Sequence, residues 1–290
     1  QKINMFMINL RNGEIYVIKL KTFGSFTVGN GLTSVQEGAW RSEKLEKLFV
    51  YLAMNRNRGV CIEDISEAIW QVEEETDNPV GALKNLAYRL RKALRDASFG
   101  EECIVSVRGG LYKWNDDVEV TIDVEEFDRY INEAEMAFCR SKETAIESYE
   151  KAIALYHGDF LPLRTDTHWF MTLNAFYHSR YVNTVKALAK LYIDTGCYEK
   201  LEQLCTRAIV YERSDEQIYS YLIVARMRTK KVQMAFDTYE TAKAIMDKDL
   251  GVRKTVMLNK VYEELLSVTK GASSYNIDEV KDDISEESMN

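Results

Sequence analysis

The stretch Asn78 to Trp114, NPVGALKNLAYRLRKALRDASFGEECIVSVRGGLYKW, decides how the first half of this 290-residue chain folds. Asn78 is a good helix N-cap, and Pro79 suits the first helical position, where its missing N–H costs nothing. On a helical wheel Leu83, Leu86, Ala87, Leu90 and Leu94 fall on one stripe at i, i+3, i+4, i+7 spacing, so that stripe must be buried. Opposite it lie Gly81, Lys84, Asn85, Tyr88, Arg89, Lys92 and Arg95, a face of cations and hydrogen-bonding tips suited to a negatively charged surface. Asn78 to Lys113 carries seven cations against three acids, a local charge of +4. Further on, Ile104 to Val107 alternates into Arg108, Gly109 and Gly110 supply the positive φ angles of a tight primed turn, and Leu111 to Trp114 returns.

Taken alone, a basic helix beside a hairpin is more readily a solvated face than a binding one. The order of elements shifts the reading. Strands at 15–21 (IYVIKLK) and 25–28 (SFTV), an amphipathic helix from Arg41 to about Asn55, a short strand near Val60 to Ile62 and a second short helix come before it. Three helices with two edges of sheet make a winged-helix plan, in which the last helix before the wing lies in the major groove of DNA.

The whole chain has a formal charge of −8, which sits oddly with a nucleic-acid partner. The acid lies elsewhere, in Glu73, Glu74, Glu75 and Asp77 and in the tail from Ser273 to Asn290, and phosphate contact is screened beyond roughly 10 Å. With 46% hydrophobic and 29% charged residues the composition is that of a soluble globular protein, with cytoplasm as the default location. No apolar run approaches the roughly 20 residues of a membrane span. Five cysteines without a CxxC pair fit reduced thiols better than disulfides or zinc. His157, His168 and His178 lack metal-ligand spacing, and neither a Walker loop nor a GxSxG elbow is present. The expectation is no catalytic residue, no metal and no cofactor.

From about Val118 onward the pattern is helical and periodic. Leu201, Cys205, Ala208 and Ile209 recur at a constant offset as Ala235, Tyr239, Ala242 and Lys243, and an earlier copy reads Ala145, Tyr149, Ala152 and Ile153. The offset between the last two copies, thirty-four positions, is the tetratricopeptide period. The third copy is degraded, with Arg226 and Lys230 in the places of Tyr192 and Gly196, and a segment near Asp159 to Arg180 interrupts the array after the first. Such repeats leave a concave surface exposed for a partner.

These pieces resemble a known group. KLKTFGSFTV, WRSEKLEKLFVYLAMNRNRGV, NPVGALKNLAYRLRKAL and VRGGLYKWN, followed by TIDVEEFDRYI, HGDFLPLRTDTHWF and MDKDLGVRKTVMLNKVYEELL, are similar to the Streptomyces antibiotic regulatory proteins and the wider bacterial transcriptional activator domain group. The resemblance covers roughly residues 17 to 267. It implies a mainly α chain: a winged helix-turn-helix of the OmpR type at 15–116 behind a leader or extra strand at 1–14, an all-α tetratricopeptide-like domain at 117–270, and an acidic tail or linker at 271–290, after which some relatives carry a further domain. It also implies a sequence-specific regulator, usually an activator, that binds direct repeats near promoters as a homodimer on double-stranded DNA. RNA polymerase and a protein or small-molecule effector at the repeat domain are its further expected partners. By position, Lys84, Asn85, Tyr88, Arg89 and Lys92 become the base-reading set, and Arg108 the wing residue. Arg91, Arg95, Lys113, Arg41 and Lys44 become phosphate contacts. The chain departs from the pattern where a proline is usual in Gly251 to Thr255, and in carrying Glu43 and Glu46 beside Lys44 and Lys47. The rival reading is a repeat scaffold for protein partners, with the winged helix used for protein contact or dimerisation.

Overall fold

A computed structural model describes residues 10–11, 14–15, 17–31, 33–71, 78–99, 103–107, 110–162, 164, 166–249 and 255–269. They divide into two compact units. One takes the described residues up to Tyr130 together with Ala154–His178; the other takes Ile131–Ile153 and the described residues from Ser179. The first unit is therefore more than the expected 15–116 domain, because part of the repeat interruption packs with it.

Its strands are β1 (Leu10–Arg11), β2 (Glu14–Ile15), β3 (Ile18–Lys21), β4 (Thr27–Gly29) and β5 (Ser34–Gln36), followed by helices α1 (Glu43–Met54), α2 (Ile62–Ile69) and α3 (Pro79–Asp96). The wing is β6 (Ile104–Val107) with β7 (Leu111–Trp114), and β8 (Val120–Ile122) comes after it. β8 runs parallel to β3 in a sheet ordered β5-β4-β3-β8, so the stretch expected to open the helical domain begins inside this sheet. Alternation in β3 buries Ile18 and Leu20 and exposes Lys19 and Lys21. The strand expected near Val60 is a single bridge, Val60 to Tyr112, that lays the α1–α2 connection along the wing. β6 and β7 pair Val107 with Leu111, which leaves three residues in the loop instead of the two of a primed turn. Gly110, at φ +79°, supplies the left-handed residue that a three-residue loop needs. Phe26, Phe49, Leu83, Leu90 and Trp114 fill the core, and the Trp114 indole N–H donates to the Val118 carbonyl at 2.8 Å.

The described residues of 156–167 form a strap over this unit. The Leu161 N–H donates to Thr22 O and the Gly24 N–H to Asp159 O, both at 2.9 Å, which makes an antiparallel bridge of Phe23 and Phe160. Gly24 has φ +80°, and a Cβ there would lie 2.5 Å from the His157 carbonyl oxygen; only glycine allows this approach. The Phe23 ring lies 5.2 Å from Phe127 and 4.9 Å from Tyr156 between centroids. Arg164 pairs with Glu46 and Glu37, Lys47 pairs with Asp166 and Glu43, and the Thr167 hydroxyl donates to the Ala68 carbonyl at 2.8 Å. Glu46 and Lys47 are each 2% exposed and Arg164 8%, so these charges are buried in the strap contact. Burial works against the Asp166 carboxylate, yet Lys47 and Gln71 hold it below the usual range; hydrogen bonds from His178 and Tyr156 do the same for Asp159.

α4 (Asp123–Ala137) opens on a half-buried carboxylate. The Thr22 and Phe23 N–H groups donate to Asp123 Oδ2, and the Thr22 hydroxyl and Val124 N–H to Oδ1, at 2.6–3.0 Å. Burial pushes this carboxyl up while the four donors favour its charged form.

The second unit holds the end of α4, most of α5 (Lys142–Leu155), the later part of α6 (His168–Asp194), and α7 (Tyr198–Tyr211), α8 (Glu216–Arg228), α9 (Val232–Asp249) and α10 (Val256–Thr269). α7 and α9 start at positions one repeat period apart, and α5 precedes α7 by the longer interval that the interruption creates, as the repeat reading requires. Ala145, Tyr149, Ala152 and Ile153 are buried on α5, Leu201, Cys205 and Ala208 on α7, and Ala235, Tyr239 and Ala242 on α9. The degraded positions keep their geometry. Tyr192 donates its hydroxyl to Glu150 at 2.7 Å; Arg226, one repeat further along, reaches back likewise to Glu202 on α7. Gly196 closes α6's turn at φ +72°, and Lys230 closes the turn after α8 at φ +62° with the same pair of backbone hydrogen bonds. A left-handed lysine costs roughly 1 kcal/mol that glycine avoids. Lys230→Gly is therefore expected to raise stability by about 1 kcal/mol in urea melts, and a neutral or lower value would contradict this reading of the turn. α8 buries every residue from Gln217 to Ala225, so it offers no open stripe of the concave surface that the repeat period implied.

Candidate nucleic-acid interface

α3 is positioned by its apolar stripe: Leu83, Leu86, Ala87, Leu90 and Leu94 are all buried, as the wheel requires. α3 packs on α1 and α2. The Asn78 side chain accepts from the Gly81 N–H at 2.8 Å, which fixes the helix start, and Pro79 follows at the first position. At the other end Ser98 takes φ +63°, and the Asn30 amide and Thr33 hydroxyl donate to the carbonyls of Ser98 and Ala97. The β4–β5 turn thus clamps the helix C-terminus.

Lys84, Asn85, Tyr88, Arg89 and Lys92 are all exposed on the face away from that core. Among the described residues none of the five forms a side-chain hydrogen bond or an ion pair. Tyr88 is 65% exposed, an unusual cost for a large aromatic ring that no neighbour covers. Arg95 is exposed in the last turn, beside Asp96, the one acid on this face of α3.

The residues expected to touch phosphate separate into two kinds. Arg91 is half-buried, and its Nε donates to the Ile104 carbonyl at 3.1 Å, which ties α3 to the wing. Lys113 pairs with Asp116 at 2.5 Å, and Lys44 lies half-buried with its Nζ 5.8 Å from the Trp70 ring centroid. Arg41 is exposed at φ +50° just before Ser42, the N-cap of α1. Arg108 lies outside the described residues. The acids that depart from the expected pattern are accounted for: Glu46 is the partner of Arg164, and Glu43 of Lys47. Among the described residues the exposed cations of the expected set are accordingly those of α3, with Arg41 apart from them. Sequence reasoning missed Arg164, Asp166, Gly24 and Asp123, which hold this unit together.

A family model described as the bacterial transcriptional activator domain matches residues 122–266, half of the chain. The chain belongs to that family. The match begins at Ile122, the last residue of β8, and takes in the strap. The transcriptional regulator RedD of Streptomyces coelicolor is 23% identical over 238 residues, which are 81% of this chain and 67% of RedD. EmbR of Mycobacterium tuberculosis, solved in complex with a low affinity phosphopeptide, superposes with a TM-score of 0.68 at 18% identity, covering 92% of this chain and 68% of EmbR. That second likeness speaks for the fold alone. Membership in the bacterial transcriptional activator domain family makes the chain a transcriptional regulator.

Proposed function

We propose that this chain is a sequence-specific, cytoplasmic DNA-binding regulator that activates transcription by reading direct repeats at promoters as a side-by-side homodimer. The observation that carries the reading is the α3 face: four exposed cations, Asn85 and an uncovered Tyr88 on a helix whose other side is locked into the core. Lys84 or Arg89 offers donors to guanine O6 and N7, and Asn85 matches the adenine edge. Lys92 and Arg95 set register on the phosphates, and the wing with Arg108 lies toward the flanking minor groove. RNA polymerase is the partner that an activator bound beside a promoter would engage. Regulation through the helical domain has a covalent route, since the strap that grips α1 through Arg164 and Asp166 is the connection between α5 and α6. The scaffold reading is less favoured, because the helix that would line its groove, α8, is enclosed.

Binding of the full chain to duplexes enriched from a random library tests this. Each head that neutralises about four or five phosphates contributes about −4 to the log–log salt slope, so a bound pair gives about −8. Failure to enrich any sequence, or binding insensitive to salt, would contradict the proposal.

A further inference from the structure

One apolar side chain on α3 lies outside the core, on the same side as the cationic face. Val80, the second residue of the helix, is 43% exposed and stands in line with Lys84 and Tyr88 at i, i+4 and i+8. The first turn around it, Pro79 to Ala82, carries no charge, as in α6, α9 and α10, whereas α1, α2 and α4 open on two or three carboxylates. Beside Val80 the backbone stays bare, because a Cβ on Gly81 would meet the capping Asn78 amide at 2.7 Å. Carboxylates are favoured at a helix N-terminus by the macrodipole, and the first turn of α3 does without them. Next to DNA phosphates they would repel.

We propose that Val80 is a specificity residue that packs against the C5-methyl group of a thymine in the major groove. Recognition helices present their N-terminal residues to base edges, and that methyl is the apolar feature which the groove displays. The inference rests on the DNA-reading function proposed above and adds a base to it. Within the recognised site, one thymine lies under the first turn of α3, next to the bases reached by Lys84 and Tyr88.

The test uses the full chain and a duplex enriched from a random library, in which each thymidine is replaced singly by deoxyuridine. That replacement removes the methyl and leaves the Watson–Crick edge unchanged. At one position the wild-type chain is expected to lose affinity about three- to five-fold, the scale of one buried methyl. In Val80→Ala the same replacement is expected to have no effect. Absence of any deoxyuridine-sensitive position, or a penalty that persists in Val80→Ala, would overturn the inference while leaving DNA reading intact. Failure of the library to enrich would remove DNA reading itself, and with it the role of Val80.

Discussion

Replacing Arg164 by alanine is expected to destabilise the first unit by about 3–5 kcal/mol, the usual result of removing one member of a buried ion pair. The reason is the carboxylate left behind. Glu46 is 2% exposed on α1 and takes its charge compensation from Arg164, with the Gly38 N–H as a second donor at 2.8 Å. Without the guanidinium a buried carboxylate is left with one donor and no compensating charge, which disfavours the fold. In a melting experiment the loss corresponds to a midpoint lowered by roughly 10 °C. Removing both charges is a different matter, since a buried pair replaced by neutral groups of similar volume is often tolerated. Arg164→Met combined with Glu46→Gln is therefore expected to recover most of the deficit. A single variant as stable as the parent, like an inconsequential surface substitution, would show that the strap is not part of the folded head.

The strap was also the part least legible in the sequence. HGDFLPLRTDTHWF has no helical or strand period, and its partners lie about a hundred residues away: Arg164 to Glu46 spans 118 positions and Asp166 to Lys47 spans 119. A signal was present on α1. Glu46 and Lys47 interrupt an apolar run from Leu45 to Ala53 in which the structure buries every residue, and two adjacent charges in such a run require partners from elsewhere. β8 escaped because three residues before a helix give no alternation to read. By contrast, α3 was fully legible: its cap, its buried stripe and its exposed face follow from local spacing alone. The repeats were legible for the same reason, since the one-period offset of Tyr192 and Gly196 to Arg226 and Lys230 survives as geometry even where the residue types change. What spacing did not separate was which cations near α3 are free, because Arg91 and Lys113 are engaged by a backbone carbonyl and by a carboxylate three residues away.

That separation gives the second large effect. Arg89→Ala together with Lys92→Ala is expected to weaken binding to an enriched duplex by about 100-fold or more, since a bidentate base contact contributes roughly 1–3 kcal/mol and a phosphate contact is lost as well. Both side chains are exposed, and the stripe that fixes α3 lies on the other face, so folding is expected to change little. Substituting Lys113, already engaged by Asp116, is expected to have a much smaller effect on binding. The most direct measurement is an equilibrium titration of that duplex with the parent chain and with the Arg89→Ala, Lys92→Ala variant, at matched salt and with circular dichroism confirming equal helix content. The account predicts tight, salt-sensitive binding by the parent and a loss of about two orders of magnitude in the variant. Equal affinity of the two proteins would contradict the assignment of α3 as the surface that reads DNA.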